Sequence, residues 1–419
     1  MSISKKNIFI IFLLYFSLIL GFYLNEDTIG GAFNDYSGLL YLPERFKSDF
    51  WYTFFNYESF GHRHSPIFFV LRAFFLPLGE DITRLIILNF YMLCPIYVYK
   101  SLKIILGNVD KNFLILIAFV ILTFPTFRSY AIWSDAHMMG ATLFTISIYY
   151  FLKFKYSKKD NFRYALMNCI FLALSSYFSP NFGMFVFYFF YEFLIKFNFN
   201  KEIFFIILLN ILLSAPFFIY IFVLDINFIY NDNKWDIGDN FLSIKHFSNK
   251  FHILNTLILF YILPFVYFIK DVFLRKYNSK EYTIIVLSIL LFLFLTYFFN
   301  YSDTYNLTKS GGGFFYNLSQ RLLENNYLFF ICSLLGFLII ITISFVDVKN
   351  FGLFILLILS NPQNTVWQSN YSPTLYILLI LLFNMNLNKI FFNLKFIYFL
   401  YFYFLSYLFL NLLVRNHIV

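Results

Sequence analysis

The chain has 419 residues, of which 60% are hydrophobic and only 13% charged, and its mean hydropathy is +0.71. A soluble domain carries roughly 25% charged residues, so a water-soluble core is excluded and the lipid bilayer becomes the obligatory partner. The formal charge of +9 does not indicate nucleic acid, because the cations cluster in short loops between apolar runs, as membrane topology requires.

The expected fold is an all-α polytopic membrane protein, a single transmembrane domain over 1–419. About 20 apolar residues span a bilayer as a helix. Thirteen segments qualify, several of them short: 8–24, 82–104, 112–126, 136–154, 162–178, 181–196, 202–224, 252–270, 281–300, 326–346, 350–361, 372–386 and 390–413. The first begins with cations, as a signal peptide does, but its apolar run is too long and no small-residue cleavage site follows.

Directly after it, "NEDTIGGAFNDY" (25–36) places Glu26, Asp27 and Asp35 just outside the hydrocarbon. Asp35 stands where the chain leaves a Gly-Gly turn and enters a stretch that reads as a helix. Further along, "GHRHSP" stacks His62, Arg63 and His64 before a proline. A carboxylate suits a general base or a metal ligand. The cationic cluster suits a phosphate, which arginine grips in a fork.

Residues 66–78, "PIFFVLRAFFLPL", are short for a span, contain Arg72 and are bracketed by prolines. Orientation decides their placement. With Lys5 and Lys6 inside and 66–78 lying on the outer face, the inside loops collect Lys100, Lys103, Lys111, "KFKYSKKDNFR" (153–163), Lys196, Lys201, Lys270, Arg275, Lys276, Lys280, Lys349, Lys389 and Lys395. The short outside connections 127–135, 179–181 and 362–371 hold one cation, Arg128. A spanning 66–78 would invert the positive-inside rule. The N-terminus is therefore expected in the cytosol, the C-terminus outside, and the long polar loops 25–81, 225–251 and 301–325 all outside.

Between the third and fourth spans, "FPTFRSYAIWSDAHMMGATLF" puts Arg128, Asp135 and His137 at the mouth of apolar helices. Ionisable groups at such depth are costly and face a partner or a cavity; Asp135 also suits a helix cap. The loop "DTYNLTKSGGGFFYNLSQRLLENN" (303–326) flanks three glycines with Lys309 and Arg321, a pattern compatible with an anion site, a lid or a plain surface loop. His246 and His252 read as loop residues, with no third ligand at a familiar metal spacing. Cys94, Cys169 and Cys332 each fall inside an apolar run and read as core residues. No strand–glycine-rich loop–helix unit for a nucleotide occurs, which removes support for ATP-driven transport.

The order of these motifs resembles the GT-C superfamily of integral-membrane glycosyltransferases, in the lineage of protein mannosyltransferases and the aminoarabinose transferases of lipid A. In that lineage an acid in the first outer loop precedes a helix and then an "HPP"- or "KPP"-like step into a surface helix. Here "FNDYSGLLYLPERF" and "GHRHSPIFFVLRAFFLPLGEDITRLI" are similar, with Asp35 on the catalytic acid and His64-Ser65-Pro66 on the step. The family's second-loop run looks like "FRSYAIWSDAHMMGATLF" and puts Asp135 on the second acid. Asp27 is the alternative to Asp35. The family's "T-K-[GP]" step appears as "YFSPNFG", with Ser179 where a cation is expected. The resemblance covers about the first 200 residues well and rests on topology beyond them.

The resemblance implies inverting transfer of a hexosyl or pentosyl group from a polyprenyl-phosphate sugar donor to a glycan, lipid or protein acceptor, at the periplasmic face of the inner membrane. Its donor phosphate would be held by Arg63, His64, His62, Arg128, Lys309 or Arg321. The reading requires no cofactor and leaves a divalent metal ion open. A carboxylate would accept the acceptor's proton, and positive charge would stabilise the departing phosphate. The rival readings are a flippase or transporter of lipid-linked sugars and an O-antigen ligase or polymerase. A transporter is expected to carry charges near the midplane and internal repeats, which are not apparent. A ligase typically has its largest outer loop late in the chain, whereas here the richest loop is the first.

Overall fold

The computed structural model describes residues 4–60, 65–107, 109–157, 159–224, 243–266, 275–301, 311–361, 366–385 and 394–415. Every regular element among them is helical. Helix α1 (Lys5–Tyr23) starts where the Ser4 hydroxyl accepts the Asn7 N–H, satisfying one of the orphan donors of a helix start. The first loop then folds into short pieces: α2 (Ala32–Gly38), α3 (Tyr41–Ser48), α4 (Phe50–Phe55) and α5 (Pro66–Phe75). Pro66 stands at the start of α5, where its missing N–H costs nothing and its φ is already helical. Ten residues rise about 15 Å, half of a hydrocarbon core of about 30 Å. Thus α5 is too short to cross.

Gly79, at φ +99°, turns the chain into α6 (Glu80–Tyr91) and α7 (Leu93–Ile105), which run on as one apolar stretch of 26 residues. Next, α8 (Lys111–Phe119) with its 3₁₀ extension to Thr123 meets α9 (Pro125–Ile132) at 67°. Pro125 causes that bend, since it removes a donor and drives Phe124 into an extended conformation. Four helices follow: α10 (Ala136–Tyr156), α11 (Asn161–Phe178), α12 (Val186–Phe197) and α13 (Lys201–Phe222). The remainder comprises α14 (Ile244–Ile262), α15 (Ser279–Tyr297), α16 (Gly313–Leu323), α17 (Tyr327–Ser344), α18 (Lys349–Ser360), α19 (Thr374–Leu381) and α20 (Leu394–Arg415).

Six helices among the described residues are long and apolar enough to cross a membrane, or seven if the bent α8–α9 pair is one span. This is a multi-pass membrane protein, and the thirteen spans expected from the sequence are matched only in that coarser form. The difference has a local cause. The runs 181–196, 350–361 and 372–386 yield helices of 12, 12 and 8 residues, and 181–196 opens as a 3₁₀ turn, Pro180–Phe185. Helices α10, α11 and α14, of 21, 18 and 19 residues, have the length of a span but carry more polar side chains.

Contacts group the chain into two compact units, Met1–Phe228 with Phe391–Val419, and Ile229–Ile390. In the first, α10 packs between α7 and α11. A reciprocal pair joins α10 to α11: Asn168 Nδ2 donates to Ser147 O at 3.0 Å, and Ser147 Oγ donates to Asn168 O at 3.1 Å. The opposite faces of α1, α13 and α20 leave Phe9, Phe12, Ile211, Leu212, Phe402 and Phe409 exposed, which only lipid would cover without penalty.

In the second unit α14 is the buried axis, packed on α16 and α17. His252 lies within α14, fully buried, its Nδ1 3.0 Å from Ser333 Oγ and its Nε2 3.4 Å from Thr296 Oγ1. It is a helical core residue, as His246 is a helical one, and the loop reading of both is corrected. The reason is the Ser243 cap, whose hydroxyl accepts the His246 N–H and begins the helix within the polar part of its sequence. Cys94, Cys169 and Cys332 are free and buried, as expected of core residues.

Gly336 marks the closest crossing. A Cβ there would stand 1.9 Å from the Asn255 carbonyl oxygen, so α17 approaches α14 backbone to backbone, as small residues permit between membrane helices. Gly336→Ala is expected to destabilise the protein by about 1–3 kcal/mol or more, the usual range for overpacking. Thermal unfolding of the detergent-solubilised chain measures it; an unchanged midpoint would refute the close crossing.

Candidate active site

The start of the first loop, after α1, is stitched to α9. Arg128 sends Nε to Glu26 Oε1 and Nη2 to Glu26 Oε2, both at 2.6 Å, a two-pronged contact that arginine geometry favours. Its Nη1 also donates to Ser17 Oγ at 3.0 Å and its Nη2 to Ser17 O at 2.9 Å. Gly21 makes room, because a Cβ there would lie 2.4 Å from Glu26 Oε2. Thr28 Oγ1 donates to Pro125 O at 2.7 Å and lies 2.8 Å from Ser129 Oγ, and Trp133 Nε1 donates to Glu26 O at 3.0 Å. Arg128 is thus committed to a protein carboxylate, although the sequence suggested it for the donor phosphate.

Asp27 is committed as well. Its Oδ1 accepts the Gly30 N–H at 2.9 Å and its Oδ2 the Phe33 N–H at 3.2 Å, which holds the Gly30–Gly31 turn and the start of α2. Of the three acids after the first span, Glu26 is an ion-pair partner and Asp27 a turn-former. Asp35 is exposed in the first turn of α2.

Beside Asp35, Tyr36 turns inward and organises two arginines. The Arg72 guanidinium lies 4.3 Å above its ring, and its hydroxyl donates to Glu80 Oε1 at 2.8 Å. Arg84 stacks on Trp133 at 4.2 Å, on Phe22 at 4.8 Å and on Tyr36 at 5.4 Å. Such stacking lets a guanidinium be buried without a carboxylate on every face. Arg84 Nε donates to Ile132 O at 3.1 Å and Nη1 to Asp81 Oδ1 at 3.4 Å. Its Nη2 is buried with no partner among the described residues. Burial pushes the Tyr36 phenol up, with the Arg72 charge opposing.

Asp135 closes the group. Its Oδ1 accepts the His137 N–H at 2.7 Å and the Met138 N–H at 3.3 Å, capping α10. Tyr91 donates its hydroxyl to Asp135 O at 2.7 Å and lies within electrostatic reach of both the Asp135 carboxylate and Arg72. Desolvation pushes the Asp135 carboxyl up to about 7, with the nearby Asp35 charge adding to the rise and the two helix N–H groups opposing it. The two acids predicted as a pair are therefore brought within mutual influence, and a carboxyl tuned to the neutral range can exchange a proton there. His137 Nδ1 lies 3.0 Å from Ser179 Oγ.

His62, Arg63, His64 and Lys309 lie outside the described residues. Arg321 is exposed in the last turn of α16, in the second unit. Sequence reasoning missed the roles of Tyr36, Arg72 and Arg84. The available signal was an arginine inside each of two apolar helices, a placement that marks a partner or a site. Among the described residues no three His, Cys, Asp or Glu side chains are grouped to hold a metal ion. No model of a known protein family matches the chain, nor does any curated protein or solved structure, so any functional reading rests on the motifs and this geometry.

Two measurements test the site's construction. Glu26→Gln leaves Arg128 buried without its counter-charge and should lower stability by about 3–5 kcal/mol, while Glu26→Leu with Arg128→Met should recover most of that loss. Equal melting of Glu26→Gln and wild type would show the pair to be dispensable. Asp135 has a folded pKa raised above its unfolded value, so its protonated form is the one the fold favours. That contribution is complete below about pH 4 and is lost as pH rises through about 7. Melting temperature should fall over this window, and Asp135→Asn, which keeps a capping oxygen, should flatten the fall.

Proposed function

We propose that this protein is an inverting glycosyltransferase that moves a sugar from a polyprenyl-phosphate donor to a glycan, lipid or protein acceptor at the outer face of a bacterial-type inner membrane. What supports the reading is a buried Asp135 carboxyl that feels the charge of Asp35, together with guanidinium groups near Tyr36 that no carboxylate fully claims and apolar helices that would hold a lipid-linked donor.

In this reading Asp35, exposed in the first turn of α2, accepts the proton of the acceptor hydroxyl. The acceptor oxygen bonds to the anomeric carbon as the bond from that carbon to the phosphate oxygen breaks. One displacement inverts the centre, and polyprenyl phosphate leaves with the bonding electrons. Positive charge at the leaving oxygen lowers the barrier. Arg72 over Tyr36 and the open Nη2 of Arg84 are the nearest described source of it. Asp135 sets the charge state of the pair, since two adjacent carboxylates resist ionising together. His62, Arg63, His64, Lys309 and Arg321 remain further candidates for the donor phosphate, whereas Arg128 is left to Glu26.

The reading also keeps thirteen passes with a cytosolic N-terminus and α5 lying at the outer surface. The span-length helices α10, α11 and α14 support passes beyond the six or seven most apolar ones.

Membranes carrying the protein, incubated with a panel of polyprenyl-phosphate sugars, should release polyprenyl phosphate from at least one donor. Asp35→Asn should lower that rate by on the order of 10²–10⁴ without changing the amount of inserted protein. Arg72→Gln should weaken donor use roughly ten- to a hundredfold, the loss of about 1.5–3 kcal/mol from one charge-assisted contact, while Lys47→Ala changes little. Release from no donor, or full activity of Asp35→Asn, would sink the proposal.

A further inference from the structure

Helix α14 carries a charge that the described part of its own unit does not answer. Lys250 is 4% exposed, yet no hydrogen bond or ion pair to its ammonium occurs among the described residues. One turn earlier, His246 buries its Nδ1, also without a partner there. Residues four apart share one helix face.

The neighbouring polar groups are already engaged. Asn249 donates Nδ2 to Asn300 O at 3.2 Å and accepts the Asn300 N–H at 3.0 Å. Ser248 donates to Leu295 O at 2.6 Å, and His252 is placed by Ser333 and Thr296. A lysine side chain packed this deeply without a counter-charge carries a desolvation cost. A fold keeps such a group at little penalty when a ligand supplies the missing negative charge.

We propose that Lys250 and His246 form an anion site in the second unit that takes a phosphate group. A phosphate monoester carries about −1.5 to −2 charges at neutral pH and three acceptor oxygens. It can therefore answer an ammonium and an imidazole together, whereas a carboxylate offers one charge. The phosphate comes either free or as the head group of a lipid. The inference does not depend on the transfer reaction proposed above, and it uses none of the residues named in that reaction.

The test is thermal unfolding of the full chain in a neutral detergent, with potassium chloride at matched ionic strength as reference. Inorganic phosphate, dodecyl phosphate and acetate are the probes. A phosphate bound to the folded state alone raises the unfolding midpoint with concentration. Wild type should respond to inorganic phosphate if the source is free phosphate, or to dodecyl phosphate alone if it is a lipid head group, and acetate should have little effect. Lys250→Met should raise the midpoint in chloride, because it removes an unanswered charge, and should abolish the phosphate response. Lys250→Arg should keep the response, His246→Ala should weaken it, and Arg72→Gln should leave it intact. Absence of a response to either phosphate would overturn the site, as would a response that survives Lys250→Met or disappears in Arg72→Gln. If Lys250→Met does not fold, the comparison of Lys250→Arg, His246→Ala and Arg72→Gln decides in the same way.

Discussion

The first unit depends on one ion pair. Glu26 and Arg128 are nearly closed to water, at 12% and 6% side-chain exposure, where each charge alone would be costly and the two together are tolerated because both prongs of the guanidinium are used. The pair draws the exit of α1 onto α9. Everything that follows in the first loop is aimed by that junction. Thr28 and Ile29 dock on Ser129, Asp27 shapes the turn, and α2 begins where Tyr36 can reach Arg72 and Asp35 can influence Asp135. Gly21 is part of the same constraint, since any side chain there would displace the carboxylate.

Asp135 links that frame to chemistry. A helix N-terminus favours a carboxylate through its free N–H groups and its partial positive charge, and in isolation this would hold the carboxyl ionised. Burial acts the other way and dominates, with the Asp35 charge reinforcing it. The outcome is a cap whose charge is not settled by capping. A residue that positions α10 therefore also responds to the charge of Asp35.

Much of this was legible in the sequence, and the limits have physical causes. The apolar runs announced a helical, multi-pass chain, the cysteines announced core positions, and Asp35 and Asp135 were read as partners from their order along the chain. Asp135 caps α10 and Asp35 lies in the first turn of α2, close enough for the Asp35 charge to reach Asp135. The role of Arg128 was hidden because its partner lies far away in sequence and looks, locally, like one of three equivalent acids. Asp27 was hidden because an acid that accepts two turn N–H groups has the same neighbours as an acid that waits for a substrate. Arg72 and Arg84 were visible as oddities in apolar helices, but stacking on Tyr36 and Trp133 is a contact between distant segments that no spacing rule encodes. The count of spans is met only in its coarser form, a multi-pass chain, where apolar content continues through a 3₁₀ turn or a proline bend, because hydropathy does not register the direction of the backbone. The histidines of α14 were misplaced for the opposite reason, a helix that starts in polar sequence because a serine caps it.

In a chain this poor in charge, function is best sought by asking which ionisable groups the fold has already matched. Glu26 matches Arg128, Arg275 is paired with Glu281, and Lys196 donates to the carbonyl oxygens of Phe154 and Lys155 at the end of α10. His252 is neutralised in purpose by two hydroxyls and a shell of phenylalanines. Among the described residues, Arg84 Nη2 and His246 Nδ1 are buried without a partner, and the Lys250 side chain is buried with no ion pair. Hydrocarbon offers no solvent to compensate for such groups, so each must be retained against a cost that a purely structural role would have removed by substitution with an apolar residue. Buried cations left without a carboxylate share one need, a negative charge supplied from outside the fold.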